Sequence, residues 1–160
     1  RWPGELASLA LLNTSSEPEP RTNVPKHVAL GTIAEHLGLG LVADRVMPIM
    51  FGATTLTSPA HAELRRVWRA KLVENRRAIV RAVRGVTWRE GIEHLLPAIR
   101  VPTLVIVGDE DAATIPIKGE RIHEGIARSK LARIPRAGHS SSIENPDAVN
   151  AALDAFYAER

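Results

Sequence analysis

A chain of 160 residues with 44% hydrophobic content is long and apolar enough for one globular core, and it contains no cysteine. That absence excludes a disulfide framework and a thiolate metal site, and it agrees with a cytoplasmic protein. A net charge of only +3 and an aromatic content of 4% argue against a nucleic-acid partner, which needs a basic stripe or a stacking platform; no apolar stretch is long enough to span a bilayer.

The opening residues 1–13, RWPGELASLALLN, do not read as a secretory leader, because Glu5 interrupts them and no small-residue cleavage site follows a basic start. The chain lacks an initiator methionine, which fits a segment of a longer protein. Residues 6–13 are a continuous apolar run, the pattern of a strand buried on both faces or of a short buried helix. The run ends in Thr14, Ser15 and Ser16, and the prolines of residues 17–21, EPEPR, make a loop.

From residue 25 to residue 98 the pattern is helical. Val28, Ile33, Leu37 and Leu41 recur at helix-like intervals, as do Val67, Leu72, Ile79, Val80 and Val83. Gly38, Gly40, Pro48, Gly52 and the Ser58-Pro59 step divide this stretch into about four helices. Ser58-Pro59-Ala60-His61 starts one of them, Gly85 follows the end of a long basic one, and residues 88–96 form a further short one.

After Arg100 the pattern becomes strand (101–107), helix (117–127), strand (131–134) and helix (146–157), with Asn145 as N-cap and Pro146 at the first helical position. Alternating strands and helices imply an α/β fold with a parallel sheet covered by helices. Three regions follow: 1–24, a strand and loop of the core; 25–98, a helical insertion; 99–160, a second part of the core.

Two loops in that last region carry chemistry. Residues 101–111, VPTLVIVGDED, lead an apolar run into a carboxylate turn, and residues 133–144, RIPRAGHSSSIE, lead a short strand into Gly138-His139. A serine nucleophile is weak until a base accepts its proton, and the base needs a third group to hold its tautomer. Asp109, Glu110 and Asp111 all compete for that third role, and each also suits plain solvation or a turn closing on Gly108; Glu17 and Glu19 are weaker candidates. Gly138 permits a tight, exposed turn, and Ser140, Ser141 and Ser142 are polar enough to rim a site, although a lone loop histidine commonly makes only a structural hydrogen bond. Yet no G-x-S-x-G elbow occurs anywhere in the sequence, and Ser15 and Ser16 lack the strand-turn-helix context that an elbow requires.

The remaining polar residues point less sharply. His27, His36, His61, His94 and His123 show no metal-ligand spacing and read as surface groups. Arg65, Arg66, Arg69, Lys71, Arg76, Arg77, Arg81 and Arg84 form a solvated helix face, or alternatively draw an anionic substrate toward a cleft. Met47, Met50, Phe51, Trp68 and Trp88 either line an acyl or ring pocket or pack a core.

The segments SLALLNTSS, RGVTWREGIEHLLPAIRVPTLVIVGDED and IPRAGHSSSIENPDAVNAALDAFY together resemble lid-bearing α/β hydrolases of the esterase, enol-lactonase and cofactor-free haloperoxidase type. The resemblance spans essentially the whole chain and is most specific over residues 99–156. It implies a partial α/β-hydrolase fold, the last three parallel strands with flanking helices, and makes residues 25–98 a helical lid. It matches Asp111 to the family's acid and His139 to its base, with the serine and both oxyanion-hole amides upstream of this chain. The implied activity is cleavage of a small carboxylic ester or lactone through an acyl-enzyme, with no cofactor and no metal. The implied partners are that substrate and an N-terminal half or second chain bearing the nucleophile, with self-association expected of the isolated chain. An aspartate at the elbow would make the protein a dehalogenase, an elbow serine could also support perhydrolysis, and loss of the elbow would leave a non-catalytic binding module.

Overall fold

The computed structural model describes residues 5–159; residues 1–4 of the leader reading, and residue 160, lie outside the described residues. Its centre is a parallel sheet of three strands in the order β1 (Leu9–Leu12), β2 (Thr103–Gly108), β3 (Ser129–Ile134). Leu9 pairs with Thr103 and Leu12 with Ile106 on one side of β2; Thr103 pairs with Ser129 and Gly108 with Ile134 on the other.

Every residue of β2 is buried, because successive side chains point to opposite faces and both faces are covered. Leu104 and Ile106 pack with Ile134, Ala137, Val149 and Phe156. Val105 and Val107 point the other way, against Leu96, Ile122 and Ile126. The first layer is closed by the C-terminal helix, which carries Val149 and Phe156; the second is closed by the helix carrying Ile122.

Between β1 and β2 the chain forms five α-helices among the described residues: α1 (Val24–Leu37), α2 (Ala43–Met50), α3 (Ala53–Thr57), α4 (Ala62–Glu74) and α5 (Ile79–Thr87). Ala34, Leu39, Val42 and Val80 give them their own apolar cluster, separate from the sheet's two layers. Downstream lie α6 (Pro116–Gly125), α7 (Ser141–Glu144) and α8 (Pro146–Ala158). The Asn145 side chain accepts a hydrogen bond from the Ala148 amide at 3.3 Å and Pro146 opens α8, as expected for a capped N-terminus.

Three local expectations fail. The long basic helix does not run to Gly85: it ends at Glu74, where Asn75 turns extended (ψ 151°), and Gly85 lies inside α5 with open space where a side chain would be. An exposed helical glycine weakens a helix without ending it. Residues 88–96 are not an α-helix; a 3₁₀ turn spans Glu93–Ala98 instead, with Pro97 inside it lacking an amide donor. The strand in the opening apolar run is restricted to Leu9–Leu12, and Leu6 is exposed.

Ile106 is fully buried, sits on a strand paired to both β1 and β3, and packs in the layer under α8. Ile106→Ala is expected to lower the unfolding free energy by about 2–5 kcal/mol, read as an earlier urea midpoint at unchanged slope.

Candidate active site

Parallel pairing brings the carboxyl ends of all three strands to one edge, and one polar side chain projects from each. Asn13 follows β1, Asp111 lies in the turn after β2, and His139 lies in the loop after β3. The Asp111 side chain is fully buried and accepts four hydrogen bonds. Its Oδ1 takes the amides of Ala113 at 2.9 Å and Thr114 at 2.7 Å; its Oδ2 takes Asn13 Nδ2 at 3.2 Å and lies 2.9 Å from His139 Nδ1. A buried carboxylate needs such donors to offset its lost hydration.

An ionised carboxylate only accepts, so Nδ1 of a neutral His139 carries the proton and Nε2 carries the lone pair. The imidazole lines a cavity of about 570 Å³ whose other walls come mainly from α1, α2 and α5, with Leu30, Val46, Ile49 and Val80 among them. Thus the sheet edge supplies an oriented imidazole, and the helical insertion supplies an apolar chamber in front of it.

The other carboxylates of the G-D-E-D turn are engaged elsewhere. Asp109 pairs with Arg133 at the surface, and Glu110 accepts from the Thr54 amide at 2.7 Å and its hydroxyl at 2.5 Å. Glu17 pairs with Arg121. Glu19 faces the cavity, bonded to Asn23 and 3.9 Å from His27. Neither Ser15 nor Ser16 lines the cavity; Ser15 Oγ accepts from the Glu17 amide.

Gly138 is not in an exposed turn. It is buried, and a Cβ there would lie 2.9 Å from Gly52 Cα, so close backbone approach is what requires glycine. Ser140 and Ser141 are buried as well, leaving Ser142 alone exposed among the three; Ser141 Oγ donates to Asn13 Oδ1 at 2.5 Å. Of the five residues considered for an acyl pocket, only Met50 lines this cavity. Met47 and Phe51 are core, Trp68 packs on Phe51 with Lys71 Nζ 4.5 Å over its ring, and Trp88 is 67% exposed.

None of the basic residues singled out between Arg65 and Arg84 lines the cavity. Arg66 pairs with Glu63, Arg69 with Asp44 and Arg84 with Glu35, while Arg65 and Arg77 donate to backbone carbonyls. The Arg69 guanidinium holds the Asp44 carboxyl below the usual carboxylate range, mainly through its hydrogen bond. Among the described residues, the lysine and arginine side chains on the cavity wall are Lys26 and Arg89, which the sequence pattern did not single out. His36 and His94 are exposed, and His123 Nδ1 lies 2.7 Å from Ser129 Oγ. Among the described residues no cluster of three His, Asp or Glu could hold a metal ion, and no helix is long and apolar enough to cross a membrane.

No family model matches the chain. A thermophilic esterase from Thermogutta terrifontis superposes on it with a TM-score of 0.88 at 26% identity, covering 99% of this chain and 58% of that one. The enol-lactonase from Burkholderia xenovorans LB400 gives a TM-score of 0.84 at 24% identity over 96% of this chain and 56% of that one. The chain has the α/β-hydrolase fold. In sequence, the chain is similar to the pimeloyl-[acyl-carrier protein] methyl ester esterase of Neisseria meningitidis, 35% identical over 60 residues that make up 38% of the chain and 23% of the relative. It therefore spans under two thirds of the length of the proteins it matches.

Asn13 is a further site residue that the sequence reading did not single out, as is Glu144, whose carboxylate takes the Gly52 and Gly138 amides beside His139. Asn13 holds a positive φ of 47°, a conformation asparagine tolerates better than most side chains; an asparagine closing an apolar run was the available signal. Asn13→Ala removes the bonds to Asp111 and Gly138 and places an unsuited residue at that φ. It is expected to lower stability by about 1–3 kcal/mol and to disturb the His139 ring resonances in an imidazole-selective NMR spectrum.

Proposed function

We propose that this chain provides the acid and base of a serine esterase or lactonase, with His139 as general base and acid and Asp111 as the group that orients it. The observation that carries this reading is the Asp111–His139 contact of 2.9 Å at the carboxyl edge of a parallel sheet, facing an apolar cavity. The esterase and enol-lactonase likenesses support the same class of chemistry.

In this mechanism Nε2 of His139 takes the proton of a serine hydroxyl as it attacks the ester carbonyl. The imidazolium formed is stabilised by Asp111 and returns the proton to the departing alkoxide. Water then repeats the sequence on the acyl-enzyme. The serine and the oxyanion-hole amides come from polypeptide outside these 160 residues, since the sequence holds no G-x-S-x-G. Residues 25–98 act as the lid, residues 1–24 and 99–160 as core, and the cavity takes a small carboxylic ester or lactone. A cytoplasmic setting accords with the absence of cysteine. In isolation β1 has no strand on its outer edge among the described residues, which favours self-association or capture of the nucleophile-bearing segment.

The isolated chain is expected to show no hydrolysis of an activated ester such as p-nitrophenyl acetate above the buffer rate; turnover at a typical esterase rate by the chain alone would refute the proposal. In the assembled enzyme, His139→Ala and Asp111→Asn are each expected to lower kcat by roughly 10³-fold or more. Full activity in both variants would favour a non-catalytic role for the pair. An aspartate found at the elbow of the completing segment would redirect the assay to haloalkane cleavage.

A further inference from the structure

The loop that carries His139 and the following Glu144 are tied to the end of α2 by two hydrogen bonds, and a third joins Glu144 back to the loop. Ser140 N donates to Met50 O at 2.9 Å, Gly52 N to Glu144 Oε2 at 2.7 Å, and Gly138 N to Glu144 Oε1 at 2.8 Å. Glu144 is 7% exposed, and each of its carboxylate oxygens takes one glycine amide. Those two glycines belong to segments in direct backbone contact: a Cβ on Gly52 would lie 2.9 Å from Gly138 N. Their amides therefore depend on an acceptor reaching both from the side.

These ties bracket the histidine. Gly138 precedes it and is held by Glu144; Ser140 follows it and is held by Met50. Asp111 sets where Nδ1 points but leaves open where the backbone bearing the ring sits. On the other side of the junction, Ile49 and Met50 line the cavity immediately before Phe51 and Gly52.

We propose that Glu144 is a positioning residue for His139, its carboxylate clamping the backbone that bears the ring to the end of the cavity-lining helix α2. The inference rests on His139 being the base. It adds that the base is registered to the helical insertion as well as to the sheet, so displacement of the α2 end by a molecule pressing on Ile49 and Met50 moves His139 with it. A carboxylate suits the junction because it accepts two amides at once; a carboxamide would turn an NH₂ donor toward one of them.

Native-state hydrogen exchange of the chain tests this without a substitution. The amides of Gly52 and Gly138 and the downfield Nδ1–H of His139 are expected to open as one cooperative unit with a common denaturant dependence. A His139 proton that exchanges with a shallower dependence, while both amides stay protected, overturns the clamp. Glu144→Gln is expected to speed exchange of the His139 proton roughly tenfold, with Glu144→Asp intermediate. A folded Glu144→Gln chain with shifted Gly52 and Gly138 resonances but unchanged His139 exchange would reduce Glu144 to a structural staple; if that variant does not fold, the wild-type exchange pattern decides. Release of His139 in Glu144→Gln, combined with unimpaired hydrolysis by His139→Ala in the assembled enzyme, would keep the positioning role and remove the base assignment.

Discussion

The rest of this structure depends on a strand with no solvent-facing side. β2 offers apolar side chains on both faces and hydrogen-bonding groups on both edges, and all must be satisfied at once. Helices α6 and α8 cover the faces; β1 and β3 take the edges. The pairing is parallel, so all three strands deliver their following residues to the same edge. Asn13, Asp111 and His139 meet there although as many as 125 positions separate Asn13 from the Gly138 carbonyl it binds. The polar cluster is thus a consequence of how an apolar strand is buried.

A second constraint acts through buried or half-buried carboxylates. Isolated in a protein interior, an ionised carboxyl group is strongly unfavourable, whereas hydrogen bonds to charged groups contribute about 1.5–3 kcal/mol each. Asp111 meets this demand with four donors. Glu110 draws on Thr54, and Glu144 on Gly52 and Gly138. Two of these acids reach residues 52–54 in the helical insertion, so the insertion is fastened to the sheet edge beside the imidazole. Their desolvation makes the attachment directional: the donors must come to the carboxylates, and the Gly52 and Thr54 donors include backbone amides with fixed geometry.

Much of the architecture was legible in the residues. The β-branched run of β2, the alternation of strands and helices after Arg100, and the Asn145-Pro146 cap are local patterns with local causes. The two chemical loops were legible too, although the G-D-E-D turn left three acids open; their separation came from Arg133, Thr54 and Asn13, partners far away in the chain. The misplaced end of the basic helix has the opposite character. Gly85 carries a strong local signal, but it is solvent-facing inside α5, and the break fell at Asn75.

By itself the sequence determined an α/β chain with a central buried strand, a helical insertion, and an acid turn and a histidine loop after successive strands, because periodicity and turn chemistry are properties of neighbouring residues. Only the tertiary structure decided which carboxylate meets His139, that Gly138 is buried against Gly52, that Arg69 and Arg84 pair with Asp44 and Glu35, and that Asn13 and Glu144 belong to the site. Each of those outcomes is a contact between segments far apart in the chain, and such contacts leave no period in the sequence to read.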